Sequence, residues 1–370
     1  MFKARAFKTL MAVALITGAS MLSIAPRGAV VYAQGSCATA KDRYKIGFAN
    51  LTDSVDFTKA VEASMKSAAA KTGKIDLVVA NNNLDGATAL NNAENFVVQG
   101  VDGVVEFQTD EKFGNVIMDK FRSQTPPIPV IAIDIPMPGA TFFGADNYRA
   151  GRMAGEAGGD YANKNWGGKV DYILVLELPQ SGPIPAARMQ GQVEGIQAKL
   201  KTPVPEANII RLDSKNTQDV AFKVVSDALP KIPADANIIA VEINDDTAQG
   251  TAAALEAGKR TAHAIVVGQG AVESGLTEMI KPNSLYLGAT AYFPERYGDK
   301  IIPAMLDLLN CKAVPPAIYV DHVFVTKNNI CQVIPDSKAC ATLKASGAAG
   351  TAAATMSMTM RATMAATAAK

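Results

Sequence analysis

Asn244, Asp245 and Asp246 place a side-chain amide and two carboxylates at one point of the chain. Groups of this kind accept and donate hydrogen bonds to the hydroxyls of a small polar solute. The run before them, 238–243, is short and apolar, as a buried parallel strand would be. The alanine-rich stretch after them reads as a helix that stops at Gly258. In open α/β sheets, ligands bind in the crevice beyond the carboxyl ends of strands. One Asp can cap the helix. Asn244 sits at the strand end, so it reads as a ligand contact rather than a cap, with Asp245 and Asp246 divided between rim contact and cap.

Polar or aromatic clusters recur at the end of strand after strand. Asn50, Ser54, Asp56 and Phe57 follow the first, Gln108 to Asp110 the third, and Asp134 the fourth. In the second half come Glu177, Arg188, Asn244, Gln269 and the pair Tyr292-Phe293. Carboxylates and amides beside a flat aromatic wall suit a polyhydroxylated ligand, whose hydroxyls need acceptors and donors while its C–H face stacks on a ring.

Catalytic templates find little support. The two histidines, His263 and His322, are far apart and in no metal-ligand register, so each reads as structural or surface, and no metal site is expected. Phosphate-loop, nucleophile-elbow and zinc-protease motifs do not occur. Gly268-Gln269-Gly270 resembles a dinucleotide turn, but Glu273 stands where its third glycine belongs, so no cofactor is expected.

The elements that must position these groups alternate almost without a break. Strands are expected at 45–49, 75–80, 103–107, 130–133 and 141–143, with helices at 58–71, 85–99, 113–123 and 148–163. The pattern then restarts, with strands at 170–177, 208–213, 238–243, 264–267, 285–291 and 320–326. Helices at 186–200, 217–229, 247–257, 275–280 and 294–309 lie between them. The expected fold is α/β, two doubly wound parallel-sheet domains with a cleft between them.

Length and composition agree. The 370 residues suffice for two cores, and a net charge of +1 gives no footprint for nucleic acid or anionic lipid. Lys3, Arg5 and Lys8 precede an apolar run, and a small-residue site ends at Ala33, so 1–33 reads as a secretory signal. A lipid anchor on Cys37 is not expected, because Gln34-Gly35-Ser36 lacks the usual aliphatic residue. Four cysteines in an exported chain favour disulfides. Cys331 with Cys340 and Cys37 with Cys311 is one of three connectivities, and sequence does not choose among them. Residues 341–370, mostly Ala, Thr, Ser, Gly and Met, read as a low-complexity tail outside the fold.

From about residue 44 to 328 the chain resembles a type I periplasmic binding protein, close to the ribose- and galactose-binding group of ABC transporter components. The marks are Tyr44-Lys45-Ile46-Gly47-Phe48, Gln99-Gly100-Val101-Asp102-Gly103, Pro129 to Asp134, Gly144-Ala145-Asp146-Asn147-Tyr148, Arg188-Met189-Gln190-Gly191 and Asn244 to Gly250. The resemblance implies lobes of 44–147 plus 293–322 and 148–292 plus 323–340, with crossings near Asn147, Tyr292 and Val323 and closure like a hinge. It implies ligand contacts at Asn50, Ser54, Phe57, Asp134, Arg188 and Asn244, with Gln269 and Tyr292 beyond them. Two departures stand out: Ile135 replaces the Arg that ribose-type binders carry after the first-lobe Asp, and Gly270 replaces an Asp. At the stacking pair only Phe57 remains, with Asp56 in the other place. The implied activity is capture of a small polar solute such as a sugar, by a monomer without catalysis, for delivery to a membrane permease. A ligand-sensing receptor feeding a chemoreceptor or sensor kinase is the alternative. A sugar-dependent transcription regulator of the same fold needs an N-terminal helix-turn-helix, where this chain carries the secretory signal.

Overall fold

The computed structural model of the protein describes residues 41–347. The expected leader, Cys37 with its pairing, and most of the expected tail lie outside them. The first half lays down β1 (Tyr44–Asn50), α1 (Asp56–Thr72), β2 (Ile75–Asn81), α2 (Gly86–Val98), β3 (Gly103–Phe107), α3 (Gly114–Arg122), β4 (Val130–Ile133) and β5 (Thr141–Gly144). The long α4 (Asn147–Asn165) leads to β6 (Tyr172–Glu177), α5 (Pro183–Lys199), β7 (Ile209–Asp213), α6 (Gln218–Ala228) and β8 (Ile238–Glu242). Then come α7 (Asp245–Ala257), β9 (Ala264–Gly270), α8 (Glu273–Ile280), β10 (Tyr286–Ala291) and α9 (Tyr297–Leu309). The chain closes with β11 (Ala317–Tyr319), β12 (Val323–Thr326), α10 (Ile330–Val333) and α11 (Lys338–Ala345).

Two six-stranded sheets result, in the orders β11-β5-β4-β3-β1-β2 and β12-β10-β9-β8-β6-β7. Every pairing is parallel except that of β10 with β12. Both faces of each sheet are covered, which is why the strands read as continuous apolar runs. In β8, Ile238 and Ala240 join one core while Ile239 and Val241 join the core on the opposite face. Val104 and Val105 divide the same way in the first sheet.

Three connections pass from one sheet to the other: between β5 and α4, between β10 and α9, and between β11 and β12. The third corrects the expected single strand 320–326. β11 pairs with β5 and β12 with β10, so the segment must break at Val320–His322 to serve both sheets. His322 binds the crossings together. Its Nε2 accepts from the backbone N–H of Asp146 at 3.0 Å, and its ring meets Tyr292 edge-on at 5.7 Å. It stands in a crossing rather than in a strand.

The helix α11 runs past Cys340, where the tail was expected to begin. A Cys331–Cys340 disulfide ties it to α10. Glu273 at the start of α8 accepts from the backbone N–H of Lys338 and Ala339, each at 3.0 Å, and so caps α11 from a neighbouring helix.

Candidate ligand-binding site

The carboxyl ends of both sheets face one cleft, which is open to solvent at its mouth and leaves about 80 Å³ for a ligand in this arrangement of the lobes. The first lobe contributes Leu51, Val55, Phe57, Thr58, Phe107, Thr109, Asp134 and Ile135. The second contributes Leu178, Ser181, Pro185, Arg188, Asn216, Ile243, Asn244, Asp246, Gln269 and Gly270, and Tyr292 enters from the second crossing.

Asp134 follows β4 in the left-handed region, at φ 62°. Its N–H donates to the Phe143 carbonyl at 2.9 Å, and the N–H of Ile135 turns back onto the Ile133 carbonyl at 2.7 Å. Asp tolerates that conformation better than most residues, and such outliers collect at ligand sites. Its carboxylate makes no hydrogen bond or ion pair among the described residues. Burial pushes its pKa up to about 6, against the opposing pull of the Arg188 guanidinium.

Arg188 is buried on α5 and held from two sides. Its Nε donates to the Asn147 side-chain oxygen and an Nη donates to the Ile243 carbonyl, both at 2.8 Å. Its guanidinium carbon lies 5.1 Å from the centre of the Tyr292 ring. Two of the five guanidinium donors are thereby engaged, and the rest are available to a ligand. The backbone beneath is fixed by close helix packing: a Cβ on Gly151 of α4 would lie 2.0 Å from the carbonyl oxygen of Arg188 itself.

Gln269 is fully buried at the end of β9. Its Oε1 accepts from the Tyr292 hydroxyl, and its Nε2 has no hydrogen-bond partner among the described residues. An unpaired buried amide donor beside a cleft is costly unless a ligand or water meets it. Phe57 stands edge-on to Tyr292 at 6.4 Å and to Tyr297 at 5.8 Å, which fixes its ring in the wall.

The structure therefore gathers Phe57, Asp134, Arg188, Asn244, Gln269 and Tyr292 around one space. Asn50 and Ser54 are outside its lining. Asn50 is buried, and its amide donates to the Thr52 and Thr58 carbonyls and to Glu62, while its oxygen accepts from the Leu51 N–H. Those bonds organise the loop after β1 and use the groups a ligand would need. The Ser54 hydroxyl bonds Thr52 Oγ1 at 2.8 Å.

Asn244 lines the cleft, yet it is the N-cap of α7, contrary to the sequence reading. Its oxygen accepts from the Thr247 N–H at 2.8 Å, and Thr247 closes a capping box back onto its N–H. Its Nδ2 donates to the Asn216 side-chain oxygen at 2.8 Å. Asp245, expected at the rim or as a cap, is neither. It is buried behind the cleft, accepting from Tyr286 OH at 2.6 Å and from the Val272 N–H at 3.0 Å. Asp246 is the acid of this trio that faces the cleft. Burial, then the Asp56 carboxylate, raise its pKa. Asn147 holds Arg188 and Asn216 holds Asn244, roles that sequence does not mark. The motif around Asn147 marked a crossing rather than a contact, and Asn216 sits in a turn whose φ of 64° no sequence pattern announced.

Among the described residues no group of three or more His, Cys, Asp or Glu could hold a metal ion, and no helix is long and apolar enough to cross a membrane. No curated protein matches this chain. Several solved structures do, at identities that speak for the fold alone. A periplasmic solute-binding protein of an ABC transporter from Actinobacillus succinogenes 130z, with bound D-allose, is 19% identical at a TM-score of 0.65, covering 78% of this chain and 99% of that one. An ABC transporter solute-binding protein from Bacillus halodurans C-125, with bound myo-inositol, is 17% identical at 0.67, covering 80% and 98%. The fructose-binding periplasmic domain of a hybrid two-component system is 21% identical at 0.67, covering 82% and 97%. The family model described as a periplasmic binding protein domain matches residues 46–313. On that match and this two-lobed fold, the chain belongs to the type I periplasmic binding proteins.

Proposed function

We propose that this protein captures a sugar or polyol between its lobes, outside the cytoplasm, and delivers it to an ABC permease without transforming it. The observation that carries the reading is the pairing of Asp134 from one lobe with Arg188 from the other, each with unengaged hydrogen-bonding capacity, beside Phe57 and Tyr292. In this reading Asp134 accepts from ligand hydroxyls, Arg188 and Gln269 donate to them, and Phe57 offers its ring to a C–H face. Asn244 supports the wall through its cap and through Asn216. The moving bodies are 44–147 with 293–322, and 148–292 with 323–340 extended through α11, hinged at the three crossings. The family is an extracytoplasmic one, and the allose- and inositol-bound relatives support the ligand class. Likeness to the fructose-binding sensor domain supports a second reading, in which the occupied form signals to a receptor.

A thermal-shift screen of the purified protein against sugars, polyols, nucleosides and amino acids tests the ligand class. A ligand at 100 times its Kd stabilises the protein by about 2.7 kcal/mol. Shifts confined to sugars and polyols are expected, and shifts confined to nucleosides or amino acids contradict the proposal.

A further inference from the structure

The glycines that make Gly268-Gln269-Gly270 resemble a dinucleotide turn have a different use in the structure. A Cβ on Gly268 would stand 2.1 Å from the Tyr286 hydroxyl, and one on Gly270 would stand 2.4 Å from Asp245 Oδ2. Gly275, two residues beyond the place of the motif's third glycine, would bring a Cβ to 2.1 Å from Asp245 Oδ1. Only glycine allows approaches this close. Three glycines thus open a seat for one buried pair, the Asp245 carboxylate and the Tyr286 hydroxyl that donates to it at 2.6 Å.

This seat adjoins the cleft. Gln269 and Gly270 both line it, and Asp245 lies between the lining residues Asn244 and Asp246 at the start of α7. Beyond Gln269 the chain turns sharply out of β9, with φ 119° at Gly270 and φ 55° at Ala271, a strained conformation for a residue that carries a Cβ. Asp245 Oδ2 accepts from the Val272 N–H at 3.0 Å, at the far side of that turn. The Gly270 carbonyl in turn accepts from the Tyr292 N–H at 3.3 Å. One carboxylate therefore ties the cleft-facing ends of β8 and β9 together and holds a strained turn in place.

We infer that Asp245 is a positioning residue for ligand binding: seated among Gly268, Gly270 and Gly275 and held by Tyr286, it fixes the Gly270–Val272 turn, and with it Gln269 and Tyr292, in the geometry that receives a ligand. The inference rests on the ligand-binding reading above and gives the glycine motif a purpose that needs no cofactor. Asp245 acts through the turn and touches no ligand. When its carboxylate is removed or displaced, the Val272 N–H and the Tyr286 hydroxyl are left buried without that partner. The strained turn then relaxes and carries Gln269 out of place.

A double-mutant cycle of Asp245→Ala and Gly275→Ala tests it, because the three atoms nearest a Cβ at 275 all belong to Asp245. Titration calorimetry uses the sugar or polyol that gives the largest thermal shift in the screen above, and urea unfolding of the same samples reads stability separately. Each single variant should bind about tenfold more weakly or worse. The double variant should bind no more weakly than Asp245→Ala, since the added methyl then occupies space the carboxylate has left. Should Asp245→Ala fail to fold, Gly275→Ala and the isosteric Asp245→Asn decide the matter by the same affinity loss. Folded variants that lose stability but bind within about twofold of wild type show a purely structural role and overturn the inference, as do losses that multiply in the double variant. Either result leaves the ligand-binding reading standing. Absence of binding to wild type by every sugar and polyol overturns that reading and the inference with it.

Discussion

Asp134, half-buried at the cleft, and Glu242, fully buried, lead to opposite pH effects. Burial lifts Asp134 to about 6, and in the proposed reading its ionised form is the acceptor for ligand hydroxyls. Ligand affinity is therefore flat near pH 7–8 and falls as pH drops below about 6, and Asp134→Asn gives weaker binding without that slope. Titrations at pH 5 and 7.5 check this. Glu242 lies at the end of β8 with neither carboxyl oxygen in a hydrogen bond of ordinary geometry. Burial raises it to about 8, against the smaller pull of the Thr251 and Thr247 hydroxyls. An acid raised in the folded state binds more protons there than when unfolded, so its contribution is complete below about 4.5 and is lost as pH rises through about 8. Glu242→Gln, uncharged throughout, should be roughly 2–4 kcal/mol more stable than wild type at pH 9, with the gain vanishing near pH 4, as read by urea unfolding. Residue roles were only partly legible in sequence. Asn244 ends a strand, a position that points to a ligand contact, and it lines the cleft while also capping α7. An N-cap residue itself has extended backbone, here φ −154° and ψ 179°, so strand end and cap are one position. The spacing Asn244-x-x-Thr247 carried that information.

The elements were far more readable, because two-sided burial writes apolar strands and amphipathic helices in regular alternation. The exception is instructive. Residues 317–326 form two short strands in different sheets, and nothing in their hydrophobicity says that the partner changes at Val320–His322. Partner choice is a tertiary property. The same holds for α4 and α5, whose contact depends on glycines: Gly151 and Gly155 approach the carbonyls of Arg188 and Gln192, while Gly191 approaches that of Tyr148. Since α5 carries Arg188, this packing sets the position of a proposed binding group. Gly151→Ala would place a methyl 2.0 Å from the Arg188 carbonyl oxygen and push α5 away. The expected costs are roughly 1–3 kcal/mol of stability and about tenfold in ligand affinity. Thermal unfolding and calorimetry read the two separately. Gly159→Ala, farther from Arg188 and against the Lys199 side chain, should lower stability with little effect on affinity.

At the scale of the molecule, two lobes joined by three crossings bring Asp134 and Arg188 to one cleft from separate sheets. Alternation and restart of the βα pattern made that architecture legible, whereas the C-terminal clasp was not, since Ala- and Thr-rich sequence hides the helix that Glu273 caps. In the proposed reading the lobes rock about the crossings that hold His322 and Tyr292, and a ligand that satisfies the groups each lobe leaves open favours the closed form. On the proposed reading, binding is a property of the pair of lobes, and Arg188 is the second-lobe group on which it most depends. Titration calorimetry of wild type and Arg188→Ala with the sugar or polyol that gives the largest thermal shift tests this claim most directly, with far-ultraviolet circular dichroism confirming that the variant is folded. The account predicts affinity lower by about 100-fold or more, since charge-assisted hydrogen bonds are worth roughly 1.5–3 kcal/mol each. A folded Arg188→Ala protein that binds within about twofold of wild type would contradict it.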